Sequence, residues 1–158
     1  MSRPVSLSRS SPSTVGVSTI VSSRLVVETR GTGFFDVTSD VAKFLHEAGA
    51  REGVVTLFIR HTSASLTIQE NADPSVLKDL TTALDRLAPE NAGWVHDAEG
   101  PDDMQAHVKT MLTATSLQIP VLNGAMALGT WQGIYVAEHR ARPHRREVVL
   151  QFQGSAQA

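Results

Sequence analysis

The stretch from Arg60 to Val76 concentrates side chains that could do chemistry. It follows an almost wholly apolar run, Val54 to Ile59, and places a guanidinium, an imidazole and two hydroxyls in four residues. A guanidinium can bind an anion through paired hydrogen bonds, and a neutral imidazole can bind a metal or carry a proton near pH 7. Glu70 and Asn71 follow, and Asp73-Pro74 is typical of a helix start, which attracts anions. The stretch therefore predicts a ligand site where a strand, a polar turn and a helix meet.

The six histidines divide into two groups. Four flank a strand end or a helix start beside other polar groups: His61, His96, His107 and His139. His46 lies inside an amphipathic helix and His144 in a basic loop, so packing or solvation explains both. The spacing of the first three matches no HExxH-type pair, which leaves a zinc site as one hypothesis beside a structural role for each ring.

Two glutamates and two arginines extend the set of candidates. Glu70 and Glu138 each end an apolar strand, where a carboxylate can bind Mg²⁺, act as a general base, or simply reach the surface. Arg60 and Arg146 are candidate anion ligands, with solubility as the competing explanation. The segment 129–133 packs two glycines around a tryptophan and two hydrogen-bonding side chains, which fits close contact with a ligand, a neighbouring subunit or a sheet-edge bulge.

Composition limits the classes of function. The chain has 158 residues, a net charge of −2 and a pI near 6.3, which indicates one domain and gives no electrostatic case for nucleic acid. The absence of cysteine excludes disulfides, cysteine-ligated zinc and thiol catalysis. No apolar run approaches the roughly 20 residues of a membrane span, and no secretory apolar segment is present, so we expect a cytoplasmic protein without membrane contact.

A Ser- and Arg-rich stretch without acidic residues predicts a disordered tail over 1–18, followed by a single domain over 19–158. Within that domain, apolar periodicity predicts two or three helices and six or more strands. The helices are expected at 36–48, 74–87 and about 104–112, and the strands at 19–29, 53–60, 64–69, 116–121, 125–128, 134–138 and 148–153. The strand before Arg60 is expected to be buried on both faces, and the next one to be half-buried, with Ser65 on its open side. Together they predict an α+β fold with a mixed, largely antiparallel sheet.

Several ordered motifs resemble the YjbQ-like family, whose members are described as secondary thiamine-phosphate synthases. The resemblance covers about residues 19–154. It is carried by His61-Thr-Ser-Ala-Ser-Leu-Thr, Glu70-Asn71, Asp73, His96, His107, Ser116, Pro120-Val121, Gly124, Gly129-Thr-Trp-Gln-Gly133 and Glu138. The tripeptide Glu138-His139-Arg140 is similar to one subgroup, and Arg146 is the arginine whose register fits the family's closing position.

The resemblance implies a trimeric α+β protein with a polar pocket close to the subunit contacts. It also implies an ability to replace thiamine-phosphate synthase, which joins a hydroxymethylpyrimidine diphosphate to a thiazole phosphate and expels pyrophosphate. Cations and hydrogen-bond donors at the phosphates, and a protected pocket for the ring, would serve this reaction. A homotrimer acting on a small phosphorylated substrate is the expected assembly.

Under this hypothesis the candidate residues take four roles. The expected catalytic residues are His61, His96, His107 and Glu138. The expected substrate-binding residues are Arg60, Ser63, Asn71, Thr130, Trp131, Gln132 and Arg146. The expected ligands for Mg²⁺ or another divalent metal such as Zn²⁺ are His61, His96, His107 and Glu70. Replacing His61 or Glu138 by alanine is expected to abolish activity without unfolding the protein.

Two other functions stay open on the same residues. One is a trimeric binding module that holds a phosphorylated metabolite or a metal without turnover. The other is metal-dependent hydrolysis of a phosphoester, which convergence of the three histidines on one metal with an open position would favour.

Overall fold

The computed structural model describes Met1 and residues 5–157. Within this part the chain forms eight strands and three helices. The strands are β1 (Thr19–Thr29), β2 (Gly33–Asp36), β3 (Ala50–Ile59), β4 (Ala64–Glu70), β5 (Ser116–Leu122), β6 (Ala125–Met126), β7 (Gln132–Glu138) and β8 (His144–Ala156). The helices are α1 (Thr38–Glu47), α2 (Pro74–Leu87) and α3 (Asp103–Leu112).

The strands form two sheets rather than one. The larger sheet has the order β1-β8-β3-β5-β6, and the smaller has the order β2-β7-β4. Every strand pair among the described residues is antiparallel. The predicted α+β class and the largely antiparallel pairing are confirmed, and the three helices agree with the two or three expected.

One apolar core unites the inward faces of both sheets with α1. On β3, Val55, Leu57 and Ile59 are buried, whereas Phe58 between them is 47% exposed. The expected burial of this strand on both faces is therefore not seen. An antiparallel sheet can keep one face on the core and the other open. Because β3 also has apolar residues on its open face, its sequence does not show the usual alternation of apolar and polar residues.

Local signals placed two elements accurately. Helix α2 begins at Pro74, and the Asp73 carboxylate accepts a hydrogen bond of 2.9 Å from the backbone N–H of Ser75, as the capping pattern predicts. The β5–β6 hairpin turns at Asn123 and Gly124, which have φ of 51° and 80°. Positive φ at both central residues is what an Asn-Gly hairpin turn requires.

Two strand segments escaped the sequence analysis. Strand β2 is only four residues long and follows a glycine turn; its pairing with β7 is what makes it a strand. Strand β8 begins at His144, inside the basic segment, because β1 pairs with it along its whole length from Thr29↔His144 to Thr19↔Gly154. The charged residues in the first half of β8, which includes Arg146, do not show the apolar alternation that predicts a strand.

Residues 5–17 have no helix or strand, and the disorder expected over 1–18 stays a prediction. Residues 2–4 of that expected tail, and residue 158 of the expected domain, lie outside the described part. No helix in the described part is long and apolar enough to cross a membrane.

Candidate functional site

The loop between β3 and β4, residues 60–63, forms the edge of a recess of about 730 Å³. Arg60, His61 and Ser63 line it from the loop, Arg146 from β8, and Thr110 from α3. The side chains offer two guanidinium groups, one imidazole and several hydroxyls. The recess thus brings together four predicted site residues, three from the loop 60–63 and one from β8. Their chemistry suits an anion.

Arg146 is held in place by a buried carboxylate. Its Nε lies 3.0 Å from both oxygens of Glu138, and its Nη2 lies 2.6 Å from Oε2. Nη2 also donates to the Ser63 hydroxyl at 3.0 Å. The remaining Nη1 has no hydrogen-bond partner among the described residues. One nitrogen of the fixed guanidinium is therefore left for a ligand in the recess.

Glu138 itself has no access to a ligand. Its side chain is fully buried, Arg146 occupies both oxygens, and Thr29 Oγ1 donates to Oε1 at 2.7 Å. A carboxylate with its acceptor sites occupied in this way cannot also take a proton from a substrate. The geometry gives Glu138 a positioning role, orienting Arg146, in place of the predicted catalytic contact.

A hydrogen bond from the backbone fixes the tautomer of His61. Burial and the charge of Arg146 lower the pKa of its imidazole, and the nearby Glu138 and Glu147 carboxylates only partly offset them. Its Nε2 lies 2.8 Å from the backbone N–H of Glu147, which can only donate, so Nε2 is the acceptor and the neutral ring carries its proton on Nδ1. This bond leaves only Nδ1 for a metal, which would have to displace the proton on that nitrogen.

A second cluster lies beside this loop, at the start of α3. The Asp103 carboxylate faces two imidazoles: its Oδ2 lies 2.6 Å from His96 Nε2 and 3.1 Å from His107 Nε2. The three potential ligand atoms all lie within 4.8 Å of one another. His61 and Glu70, which were also expected to bind metal, are not members of this group.

Arg140 orients the shared carboxylate. Its Nη1 donates to Asp103 Oδ1 at 2.6 Å, and its Nη2 donates to the carbonyl of Glu99 at 2.8 Å. Burial raises the pKa of Asp103, but the hydrogen bond from His96 and the charges of Arg140 and His107 outweigh it, so the pKa is lowered. Asp103 is consequently ionised at neutral pH, with Oδ2 turned to the two histidines.

The hydrogen bond made by His107 Nδ1 fixes the role of its second nitrogen. Its Nδ1 lies 2.9 Å from the carbonyl of Thr62, so Nδ1 must donate its proton there. In the neutral ring, Nε2 then points a lone pair at the lone pairs of Asp103 across 3.1 Å. Only a proton or a metal ion between them makes this contact favourable, and a histidine that donates its other N–H to a backbone carbonyl is the usual form of a metal ligand.

The chemistry of the donor set narrows the choice of metal. Two imidazole nitrogens and one carboxylate oxygen suit Zn²⁺ and similar transition metals, whereas Mg²⁺ prefers oxygen ligands alone. His96, Asp103 and His107 would hold Zn²⁺ through three protein ligands, as in catalytic rather than structural zinc sites. The cluster therefore fits Zn²⁺ better than the Mg²⁺ also considered.

The other predicted residues gather at the opposite end of the smaller sheet. The register pairs Ala64 with Glu138 at one end and Glu70 with Gln132 at the other, about 20 Å apart at the usual rise per residue. At that far end Asn71 donates to the carbonyl of Thr130 at 3.2 Å, and Trp131 is 63% exposed. Within one chain these residues meet each other but do not reach the recess.

Sequence reasoning missed Asp103 and Arg140 as parts of the site. The signal for Asp103 was present, because Asp103 and His107 are four residues apart and share a helix face. A position just before the predicted helix 104–112 also fits a capping residue, and Asp102 or Asp103 could fill that role. Arg140 carried no such local signal, since only the packing of the β7–β8 turn against α3 brings it to Asp103.

A buried Ser–His pair also differs from expectation. Ser65, expected on an open face, has no exposed surface; its hydroxyl lies 2.8 Å from His139 Nε2 and 2.6 Å from Thr113 Oγ1. Thr113, at the end of α3, covers this side of β4. The burial excludes Ser65 as a nucleophile and makes the pair a packing network.

Comparison with known proteins agrees with this architecture. The family model for "UPF0047 protein YjbQ-like" matches residues 23–155. The chain belongs to the YjbQ-like family. A YjbQ-like relative from Synechocystis is 47% identical over 131 residues, covering 82% of this chain and 89% of its own length. The YjbQ protein of Escherichia coli O157:H7 is 39% identical, with 82% of this chain and 95% of its own covered.

Solved structures of the YjbQ-like family share the fold. An uncharacterized conserved protein of this family from Clostridium acetobutylicum superimposes with a TM-score of 0.76 at 38% identity, covering 82% of this chain and 98% of its own. A YbjQ-like protein of unknown function from Sulfolobus solfataricus gives a TM-score of 0.80 at 20% identity, with 87% and 99% covered. The predicted family membership is confirmed.

Proposed function

We propose that this protein is a metal-assisted transferase that joins a hydroxymethylpyrimidine diphosphate to a thiazole phosphate and releases pyrophosphate. The phosphates would bind in the recess beside residues 60–63, with a divalent cation, best Zn²⁺, at His96, Asp103 and His107. In this reaction a C–N bond forms as the pyrimidine methylene–oxygen bond breaks, and the bonding electrons leave with pyrophosphate.

One observation carries the proposal: the hydrogen bond of 2.9 Å between His107 Nδ1 and the carbonyl of Thr62. It connects the candidate metal cluster to the loop that lines the anion recess. Thr110, one turn further along α3, donates to the same carbonyl at 3.1 Å and lines the recess. The candidate metal ligand on α3 is thus hydrogen-bonded to the loop that carries candidate phosphate-binding side chains.

Three side chains of the recess would contact the substrates in this reaction. Arg60 and the free Nη1 of Arg146 would hold the phosphate oxygens, and His61 would donate from Nδ1 as negative charge grows on the departing pyrophosphate. A bound cation would supply further neutralisation of that charge. Arg60 also pairs with Glu147 at 2.7 Å, which sets its position while leaving it 46% exposed.

The test is turnover by purified protein supplied with both thiamine precursors, before and after removal of divalent metal. We expect thiamine phosphate and pyrophosphate in equal amounts, loss of activity with a chelator, and recovery with Zn²⁺. The Asp103→Asn variant should bind Zn²⁺ at least about tenfold more weakly and lose activity in parallel, because its side chain offers the metal no charge.

Asp97→Asn is the matched control, since Asp97 is exposed in the loop that precedes α3 and outside the cluster. It should keep wild-type metal affinity and turnover. Absence of thiamine phosphate with metal-loaded wild-type protein would overturn the proposed reaction. Unchanged zinc affinity in Asp103→Asn would remove the metal from it.

The three-ligand cluster specifically favours a second candidate, metal-dependent hydrolysis of a phosphoester. Hydrolysis is distinguished from the proposed transfer by giving the same purified protein a phosphate monoester without a second thiamine precursor. Release of inorganic phosphate that depends on Zn²⁺ and on Asp103, without thiamine phosphate formation, would assign the protein to hydrolysis. Metal binding without either product would indicate a binding module.

We further propose a cytoplasmic homotrimer whose site is completed between subunits. Two observations support it. The predicted binding residues Asn71, Thr130, Trp131 and Gln132 lie far from the recess of their own chain, and Trp131 is largely exposed. Helix α2 has no buried side chain on its amphipathic face, and Leu87 is 68% exposed. A neighbouring subunit would cover this apolar surface and bring the far-end residues of one copy to the recess of another.

A further inference from the structure

A second recess, of about 430 Å³, lies where β1 ends and β8 begins. It is lined by Glu28, Thr29, Arg30, Pro143, His144 and Arg145. We propose that this recess binds the phosphate group of a small molecule, with His144 and the two arginines as its ligands. It shares no lining residue with the recess beside residues 60–63, so this inference is independent of the proposed reaction.

The His144 ring is oriented through its Nδ1, and the backbone of the residue is fixed by a hydrogen bond to β1. Its Nδ1 lies 2.8 Å from the carbonyl of Arg142, which can only accept, so Nδ1 carries a proton. Glu138 Oε1 lies 3.5 Å from the same nitrogen, and the backbone N–H of His144 donates to Thr29 Oγ1 at 3.2 Å. A solvated loop histidine would have no such set of contacts.

The orientation leaves Nε2 for a ligand. This nitrogen has no hydrogen-bond partner among the described residues, and it is not enclosed in the protein interior. When protonated it becomes a charged donor into the recess. An imidazolium with one N–H fixed on a carbonyl and the other presented to an arginine-bearing cleft is suited to an oxyanion.

The surrounding charges favour an anion. Arg30 and Arg145 line the cleft, and Glu28 opposes them with only a loose contact to Arg145, at 3.8 Å. Beneath the ring, the negative charge of Glu138 is matched by its close pair with Arg146. Arg142 adds a further positive charge from the loop that ends at His144. The cationic groups therefore outnumber the acidic ones around Nε2, even when the imidazole is neutral.

Phosphate binding is tested on the full chain by NMR of ¹⁵N-labelled histidine during titration with inorganic phosphate. We expect the His144 resonances to shift and saturate, whereas those of the exposed His46 stay in place. Arg145→Ala should weaken the binding constant obtained from the His144 shift about fivefold, the effect of one partly exposed charge. The matched control Arg86→Ala removes an exposed arginine from α2 and should leave it unchanged.

Substitution of the histidine supplies an independent readout. Sulfate is the probe here, because it is an oxyanion of the same shape as phosphate. In His144→Gln, which cannot carry a positive charge at this position, sulfate should bind more weakly than in the wild type when measured by calorimetry. A His144 resonance that does not respond to phosphate, or equal binding by Arg145→Ala and Arg86→Ala, would overturn the proposal.

Discussion

His139 is the histidine whose ionisation the fold controls most strongly. Its side chain is buried, and its Nε2 lies 2.8 Å from the hydroxyl of Ser65. Burial, together with the charges of Lys109 and Arg146, lowers its pKa to about 4. The ring is therefore neutral at physiological pH, and protonating it in the folded protein would place an uncompensated charge beside two existing cations.

This depressed pKa predicts a pH dependence of stability. Between about 6.5 and about 4 the unfolded chain takes up a proton at His139 that the folded chain does not, so the free energy of unfolding falls as the pH falls. The full loss is about 3 kcal/mol. His139→Gln keeps a hydrogen-bonding group without the titration, so its urea-unfolding free energy should change less than that of the wild type between about pH 7 and about pH 4.5.

The control is His46→Gln, which changes an exposed histidine of α1 and should retain the wild-type pH slope. Carboxylates such as Asp103, whose pKa is lowered, lose their contribution at still lower pH in both variants. The difference between the two variants thus isolates His139. Equal slopes would show that its imidazole is not depressed.

At this scale the sequence identified residue types better than partnerships. His61, Ser63 and Arg146 were grouped at one site and all three line the same recess, whereas their binding of a substrate stays a prediction. The partner of Arg146 could not be predicted, since Glu138 was assigned to a ligand rather than to the protein interior. Whether a carboxylate is accessible depends on packing that no local pattern records.

The buried pair of Glu138 and Arg146 fastens several elements together. Glu138 ends β7, Arg146 belongs to β8, Thr29 ends β1, and Ser63 precedes β4. The pair therefore joins the two sheets at one end of the core. Its hydrogen bonds satisfy both charges, which is what makes a buried ion pair tolerable.

Removing one partner should consequently destabilise the protein. Glu138→Ala leaves the Arg146 guanidinium buried and unpaired, and the free energy of unfolding should fall by about 3–5 kcal/mol in urea denaturation. This replaces the sequence-based expectation of an inactive but stable variant. Glu47→Ala, at the exposed end of α1, is the control and should change stability by no more than about 0.5 kcal/mol. A Glu138→Ala protein as stable as this control would show that the pair carries little of the fold.

The boundaries of helices and strands were predictable where neighbouring residues carry a capping, turn or periodicity signal. Helix α2 has an aspartate cap, a proline at its first position and helical apolar spacing, and its predicted bounds equal the observed ones. Strand β1 was also predicted from end to end. The division into two sheets was not predictable, because the order β2-β7-β4 joins segments far apart in the chain.

The proposed assembly makes a prediction for the whole molecule. If Asn71 of one subunit completes the recess that contains His61 of another, the two single variants Asn71→Ala and His61→Ala should each be inactive as pure trimers. Mixed trimers, prepared by unfolding and refolding the two variants together, should recover part of the wild-type thiamine-phosphate synthesis. Some of their sites contain neither substitution.

Light scattering provides the companion measurement, with an expected mass three times the 17.0 kDa of the chain. Mixing His61→Ala with Arg60→Ala is the control, because both substitutions lie on the same loop and every mixed site retains at least one of them. A monomeric wild type would exclude a shared site. So would mixed Asn71→Ala and His61→Ala trimers that stay as inactive as their parents.

The position of His96 has a consequence for the resistance of the chain to proteolysis. This residue belongs to the stretch between α2 and α3, which has no helix or strand, and Asp103 is its hydrogen-bond partner in the described structure. An ion bound by both residues would fix the segment between α2 and α3 to the start of α3. Stripping the protein with a chelator should therefore hasten cleavage after Glu90 and Glu99 by a glutamate-specific protease, and added Zn²⁺ should slow it.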